Sequence, residues 1–235
     1  MKITFLGTGN AMSMNKHNTC FLIEQQDINL LVDCSGGHEI LMQFDKHNVL
    51  LNNIDAIFVT HTHFDHILGI VFLFRKMIEE KKRMKIICSQ EVKERIMHLI
   101  HLDIPKYLNE NNHLLDFQII EENAFFHNFK FFLVDKKQHG FFITGKAKIA
   151  FTGDIPCKSE TMKLIKGCDT LIHEAFCSSE DNVVIRGNHS TIEHAINIFK
   201  MIGAKKLIVT HTKTNLRRFN SDNIKVVEDG DIVII

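Results

Sequence analysis

The sequence has no long apolar run, no excess of either charge and almost no indole or phenol. Its longest unbroken apolar stretch, Ile67 to Phe74, stops at Arg75 after eight residues, and a membrane span needs about 18 or more. Lys and Arg total 28 against 28 Asp and Glu, so no global basic field marks a nucleic-acid or membrane-surface binder. Cys20, Cys34, Cys88, Cys157, Cys168 and Cys177 never form a CxxC pair. Isolated cysteines act as small buried hydrophobes, and no disulfide framework is expected. The start, MKITFLGTGN, has one basic residue and too short an apolar stretch for a signal peptide. A cytoplasmic protein is the expectation. At 45% apolar and 24% charged the composition is that of a folded domain. No segment reads as a linker, so one domain over 1–235 is expected.

What is present is histidine. Its 15 copies exceed the 12 glycines, while Trp is absent and Tyr occurs once. Histidine is the commonest metal ligand, so clustering is the question. Short apolar runs bounded by Gly, Asn or Asp predict strands at Lys2–Leu6, Thr19–Glu24, Ile28–Asp33 and Ile54–Thr60. A helical pattern follows over 66–82, then a strand at Lys85–Ser89, a helix over 90–101 and a polar turn region at 103–112. Phe-rich strands are predicted at 114–121, 125–134, 140–144 and 148–152. The alternation around Lys130 makes FFHNFKFFLV a sheet core rather than a base-stacking platform. The last quarter predicts a helix over 159–166, a strand over 169–173, a loop over 176–190, a helix over 191–202, a strand over 206–211 and a terminal hairpin around Asp229-Gly230. Two runs of strands trailed by helices predict two stacked sheets with helices on both outer sides.

The decisive segment is His61-Thr62-His63-Phe64-Asp65-His66. It follows a buried strand, on the loop where α/β folds place ligands. Four potential metal ligands in six residues each need a partner, and a divalent ion satisfies them together. Alternation points His61 and His63 one way, while Asp65 and His66 turn to the other side, which suits two ions. One hexapeptide cannot fill two coordination shells, so further ligands are expected where other buried strands end. Asp154 follows KIAFTG, where a carboxylate could bridge two cations, and His211 follows KLIVT. Mixed His/Asp ligation accepts zinc, manganese or iron. Zinc is the default, being common and redox-inert.

HTHFDH resembles the metal-binding motif of the metallo-β-lactamase fold superfamily. FLGTGNAMSMNKHNTCFLI, LLVDCSGG, FTGD, LIHEAF, HST and VTHT narrow the resemblance to the ribonuclease Z branch, from Ile3 to about Thr212. The resemblance implies an α/β (α+β) fold, a four-layer αββα sandwich, and a homodimer. It implies two divalent ions, with His61 and His63 at one site, Asp65, His66 and His211 at the other, and Asp154 between them. It also implies that Glu174 and His189 act together on the leaving group.

Two departures stand out. The branch places another ligand His about six residues before a Gly-aromatic pair, and here that position is Val134. His139, an ammonium from Lys136 or Lys137, or a site with three protein ligands are the alternatives. Secondly, true ribonuclease Z enzymes carry a long tRNA-gripping arm, yet only 14 residues lie between His139 and Asp154. The arm cannot be there, which argues against precursor-tRNA processing. The expected activity is a metal-dependent phosphodiesterase on a small or cyclic nucleotide or short RNA. Hydrolysis of another ester (thioester, lactone or sulfate ester) remains open. So does a metal-binding domain with degraded activity, though the retained Asp65, Glu174 and His189 count against it.

Overall fold

The structure, a computed structural model, describes residues 1–25, 28–121, 123–135, 137–181 and 189–235. The chain divides into two compact units. The first comprises Met1–Ala11, Lys16–Ile120 and Asp229–Ile235, the second Met12–Asn15 and Glu121–Glu228.

The first unit carries strands β1 (Lys2–Gly7), β2 (Cys20–Glu24), β3 (Asn29–Val32), β4 (Ala56–Phe58), β5 (Met84–Cys88) and β6 (Leu115–Ile119). They lie side by side in sequence order, and the C-terminal strand Ile232–Ile234 adds to β1 at the edge. The β1, β2 and β3 pairings are antiparallel, whereas β3, β4, β5 and β6 run parallel. Leu30, Leu31, Val32, Ile57 and Phe58 are all fully buried, as expected of parallel strands covered on both faces. Helices α1 (Glu39–Lys46), α2 (Phe64–Ile67), α3 (Ile70–Glu80), α4 (Gln90–Asp103) and α5 (Pro105–Asn111) complete the unit. On α3 the buried Ile70, Leu73, Phe74 and Met77 form one stripe against the core. Each such side chain contributes about 1.5–3 kcal/mol before entropy is counted. Two helices depart from the sequence reading. Gly36-Gly37 and His47-Asn48 bracket α1 and mask its short period. The expected polar turn region at 103–112 contains α5, which starts on Pro105 at its first position and buries only Leu108.

The second unit begins with β7 (Asn123–Phe126), β8 (Phe129–Asp135), β9 (Gln138–Ile143) and β10 (Ile149–Phe151). Next come α6 (Ser159–Ile165), β11 (Thr170–Glu174), α7 (Ile192–Ile202), β12 (Lys206–Thr210) and β13 (Ile224–Val226). This sheet also runs in sequence order. β7 to β10 are antiparallel, and β10 to β13 are parallel. One face buries Phe132, Val134, Leu171 and Leu207 with α6 and α7. The other carries the fully buried Phe129, Phe131 and Phe141, with ring centroids 5.5–6.3 Å apart. The Phe-rich block is therefore sheet core. It is not one strand, however. A left-handed His127 (φ 52°) turns β7 into β8, and the phenylalanines on both sides hide that turn. Nor does the chain end in a hairpin: β13 pairs with β12, while the C-terminal strand pairs with β1 in the other sheet. Among the described residues no helix is long and apolar enough to cross a membrane.

Gly69 ties α2 to the loop after β3. Its N–H donates to the Ser35 carbonyl (3.1 Å), and Cys34 N–H donates to the His66 carbonyl (2.7 Å). A Cβ at Gly69 would lie 1.8 Å from the Cys34 carbonyl oxygen, and backbone cannot yield as a flexible side chain does. Gly69→Ala is expected to destabilise the protein by about 1–3 kcal/mol, read as a lowered Tm. An unchanged Tm would show that the approach is looser than this.

Candidate metal centre

In the first unit the site is built on the ends of two neighbouring parallel strands. β3 delivers Asp33 and β4 leads through Thr60 into the histidine-rich loop. Asp33 is fully buried and holds a left-handed backbone, φ 59°. Its Oδ1 accepts from Thr60 N (2.9 Å) and from Thr60 Oγ1 (3.0 Å). Its Oδ2 lies 2.7 Å from His66 Nδ1.

These contacts fix ring tautomers. A carboxylate only accepts, so His66 Nδ1 carries the proton, and Nε2, 3.5 Å from Asp65 Oδ2, is the nitrogen that could serve as a ligand. The Thr60 hydroxyl gives its one proton to Asp33, so it must accept from His61 Nδ1, 2.8 Å away. His61 therefore presents Nε2 as well. The His61 ring centroid lies 4.4 Å from that of His63 and 4.3 Å from that of His66. Asp65 and His66 sit on the helical turn α2 and are buried, whereas His63 is exposed.

In the second unit the site residues again follow parallel strands: Asp154 after β10, Glu174 at the end of β11 and His211 after β12. His211 Nε2 lies 3.4 Å from Asp154 Oδ2, and its Nδ1 lies 3.9 Å from Glu174 Oε2. Its left-handed backbone (φ 56°) is a strained choice for a non-glycine residue, of the kind that clusters at functional sites. Glu174, His189 and His211 bring ligand-type atoms within 4.8 Å of one another.

Glu174 is fully buried. Burial pushes its carboxyl above the usual range, against the hydrogen bond from His189 and the charges of His211 and His189. Its Oε1 accepts from Ser190 N (2.6 Å), and its Oε2 lies 3.1 Å from His189 Nδ1. The same Nδ1 lies 3.1 Å from the Asp154 carbonyl, so Nδ1 is the protonated nitrogen and Nε2 is turned to other work. Burial pulls the His189 pKa down, but the hydrogen bond and charge of Glu174 outweigh it, and the net shift is upward. Phe176 stacks on the His189 ring at 4.7 Å.

His173 has the structural duty. It is fully buried, and burial drives its pKa down to about 3, so it stays neutral. Its Nδ1 lies 2.6 Å from Thr152 Oγ1 and its Nε2 3.4 Å from Ser190 Oγ. Ser190 Oγ in turn lies 3.0 Å from His194 Nδ1.

Each unit thus gathers its own share of the expected residues: His61, His63, Asp65 and His66 in one, Asp154, Glu174, His189 and His211 in the other. Sequence reasoning assigned no role to Asp33, Thr60, Phe176 or Ser190. Asp33 had a signal, an acid ending the buried strand LLV. Near Val134, His139 turns its Nε2 to the Glu121 carbonyl (3.2 Å), Lys137 is exposed, and Lys136 lies outside the described residues.

Comparison with known proteins finds relatives that match nearly the whole chain. The family model for the anti-Pycsar protein Apyc1 matches residues 1–232. A ribonuclease Z from Archaeoglobus fulgidus is 24% identical over 97% of this chain and 92% of its own length. The short form of human tRNase Z superposes over 100% of this chain and 99% of its own, with TM-score 0.80 and 22% identity. The metallo-β-lactamase fold protein YhfI from Bacillus subtilis superposes over 99% and 98%, with TM-score 0.75 and 20% identity. The fold expected from the sequence is the fold these matches show.

Asp33→Ala is expected to leave the Thr60 N–H and His66 Nδ1–H without their buried acceptor. The loss is about 1–3 kcal/mol for each group so orphaned, measured by urea unfolding of metal-stripped protein. A variant as stable as wild type would remove Asp33 from its organising role.

Proposed function

The chain belongs to the family of the anti-Pycsar protein Apyc1 and is a ribonuclease Z-like protein of the metallo-β-lactamase fold; from that premise we propose a metal-dependent phosphodiesterase acting on small nucleotide or short RNA-type phosphodiesters. The observation that carries this reading is the locking of the histidine-rich loop, in which Asp33 and Thr60 oblige His66 and His61 to present Nε2. A structural loop has no need of two such tautomers.

The donor set fits divalent cations. Imidazole nitrogens and carboxylates suit zinc first, and manganese or iron as well. His61 and His63 would hold one ion, Asp65, His66 and His211 the other, and Asp154 both. Cations bound there would lower the pKa of water and clamp phosphoryl oxygens. Both units are read as halves of one catalytic domain over 1–235, working in the cytoplasm as a homodimer.

The side chains then divide the proton work. Asp65 orients the attacking water and takes its proton. His189 delivers a proton from Nε2 to the leaving oxygen, while Glu174 holds Nδ1 and favours the charged ring. Phe176 and His211 flank that ring at 4.7 and 5.4 Å, which keeps it from rotating away. Substrate size follows from the connection between β9 and β10, which is only residues 144–148, Ile143 pairing directly with Ile149. Without room for a tRNA-gripping arm there, small nucleotides, linear or cyclic, and short RNA are the substrates of choice.

Hydrolysis of bis(p-nitrophenyl) phosphate with added zinc or manganese tests the reading. Wild type is expected to turn over, chelation to stop it, and Asp65→Asn to lower the rate by about 10²–10⁴-fold. A metal-loaded wild type without turnover would move the assignment to thioesters and lactones. For the proton donor, His189→Ala should slow esters with poor leaving groups by a similar factor and spare those with good ones. Equal loss on both would reduce His189 to a support for the metal ligands.

A further inference from the structure

The ribonuclease Z pattern leaves one ligand position without a ligand. Val134 cannot serve, since its hydrocarbon side chain packs in the core under α6 and α7. His139 lies on the opposite face of β9 from Gln138 and Gly140, beside Phe141 in the alternation, with its Nε2 on the Glu121 carbonyl.

Gln138 is different. It opens β9 opposite Asp135, just past an irregularity of register between Leu133 and Asp135. Such irregularities re-aim side chains near sites. Gln138 is only 3% exposed, and its Nε2 donates to Asp154 Oδ1. The seat is built for it: a Cβ at Gly153 would lie 2.8 Å from the carboxamide carbon and nitrogen. The two oxygens of Asp154 are therefore addressed to two different groups. Oδ2 faces His211, and Oδ1 faces Gln138. A carboxylate serving two ions with His211 on the second has Gln138 on the side of the first.

We propose that Gln138 supplies the carboxamide oxygen that completes the first metal site in place of the imidazole missing at Val134. The inference rests on the metal-centre reading above. One planar carboxamide can donate to Asp154 while its oxygen meets a cation. An amide oxygen is a neutral, harder donor than imidazole. The first site therefore holds zinc less tightly than the second and accepts manganese readily.

The test is metal stoichiometry and affinity by titration calorimetry and elemental analysis, on wild type, Gln138→Ala and Gln138→His. Thermal melting of the metal-free proteins serves as the check on folding. Wild type is expected to bind two ions unequally. Gln138→Ala should weaken the looser one by about 10–100-fold, since even an outer partner of a metal ligand is worth that much, and leave the tighter one unchanged. Gln138→His should tighten zinc at the looser site by about tenfold or more and strengthen the visible absorption of the cobalt-substituted protein. The histidine variant decides the matter if the alanine variant fails to fold. Folded variants that bind both ions with wild-type constants would overturn the proposal while leaving the metal centre intact. A wild type that binds no divalent ion would remove the metal-centre reading and this assignment with it.

Discussion

A single buried carboxylate, Asp33, organises the first unit's cluster of candidate ligands. Its oxygens face Thr60 N, Thr60 Oγ1 and His66 Nδ1. Because a carboxylate only accepts, every group around it is forced to donate. That constraint travels one bond further, since a Thr60 hydroxyl committed to Asp33 can only accept from His61. Two imidazoles thus take their tautomers from a residue that binds no metal in this account. Burying the carboxylate is expensive in isolation, but its donors come from Thr60, just past the adjacent parallel strand, and from His66 on α2. Strand pairing of Val32 with Phe58 brings those donors close, so sheet register determines ligand chemistry.

The second unit uses the same logic with a different purpose. Glu174, also fully buried, reaches Ser190 N with one oxygen and His189 Nδ1 with the other. Its partner imidazole is partly exposed rather than sealed, with 26% of the His189 side chain accessible. The sealed histidine, His173, is driven neutral and serves the frame through Thr152 and Ser190. Two histidines close together in space thus differ in charge behaviour because one has a carboxylate and a path to solvent and the other has neither. Thr191, in the same HST segment, accepts from His194 N and caps α7. One tripeptide therefore starts a helix, anchors Glu174 through the Ser190 backbone and positions His189.

How much of this was legible in the sequence depends on how local each interaction is. The hexapeptide His61–His66 declared itself because four candidate ligands fall within six residues. Asp154 and His211 were singled out by a rule, candidate ligands at the C-terminal ends of buried strands, that needs only strand prediction. Asp33 lies 27 residues before its partner Thr60, and no local pattern links them. Strand ends were readable where polar residues bound an apolar run. His127-Asn128 turns between phenylalanines, and inside so apolar a block two polar residues read as part of one alternating strand. The helix Pro105–Asn111 buries a single leucine and leaves almost no periodic trace. The final strands failed as a hairpin because turn chemistry at Asp229-Gly230 says that the chain bends, not which sheet it joins. Asp229 itself accepts from Thr8 N, Thr8 Oγ1 and His17 N, contacts more than 200 residues away in sequence.

The missing ligand shows where motif spacing stops being a guide. Counting back from Gly140 finds Val134, because the count assumes a strand continuous with the family's. Here β8 and β9 are joined through two residues, and the register shifts between Leu133 and Asp135. On β8 the alternation that sends Phe132 toward the helices sends Val134 there too, so residue 134 belongs to the core. The first residue of the returning strand then lies beside Asp154. Hairpin geometry, rather than position in the motif, decides which residue can reach the carboxylate. A change of ligand from imidazole to carboxamide is the chemistry that this hairpin makes available.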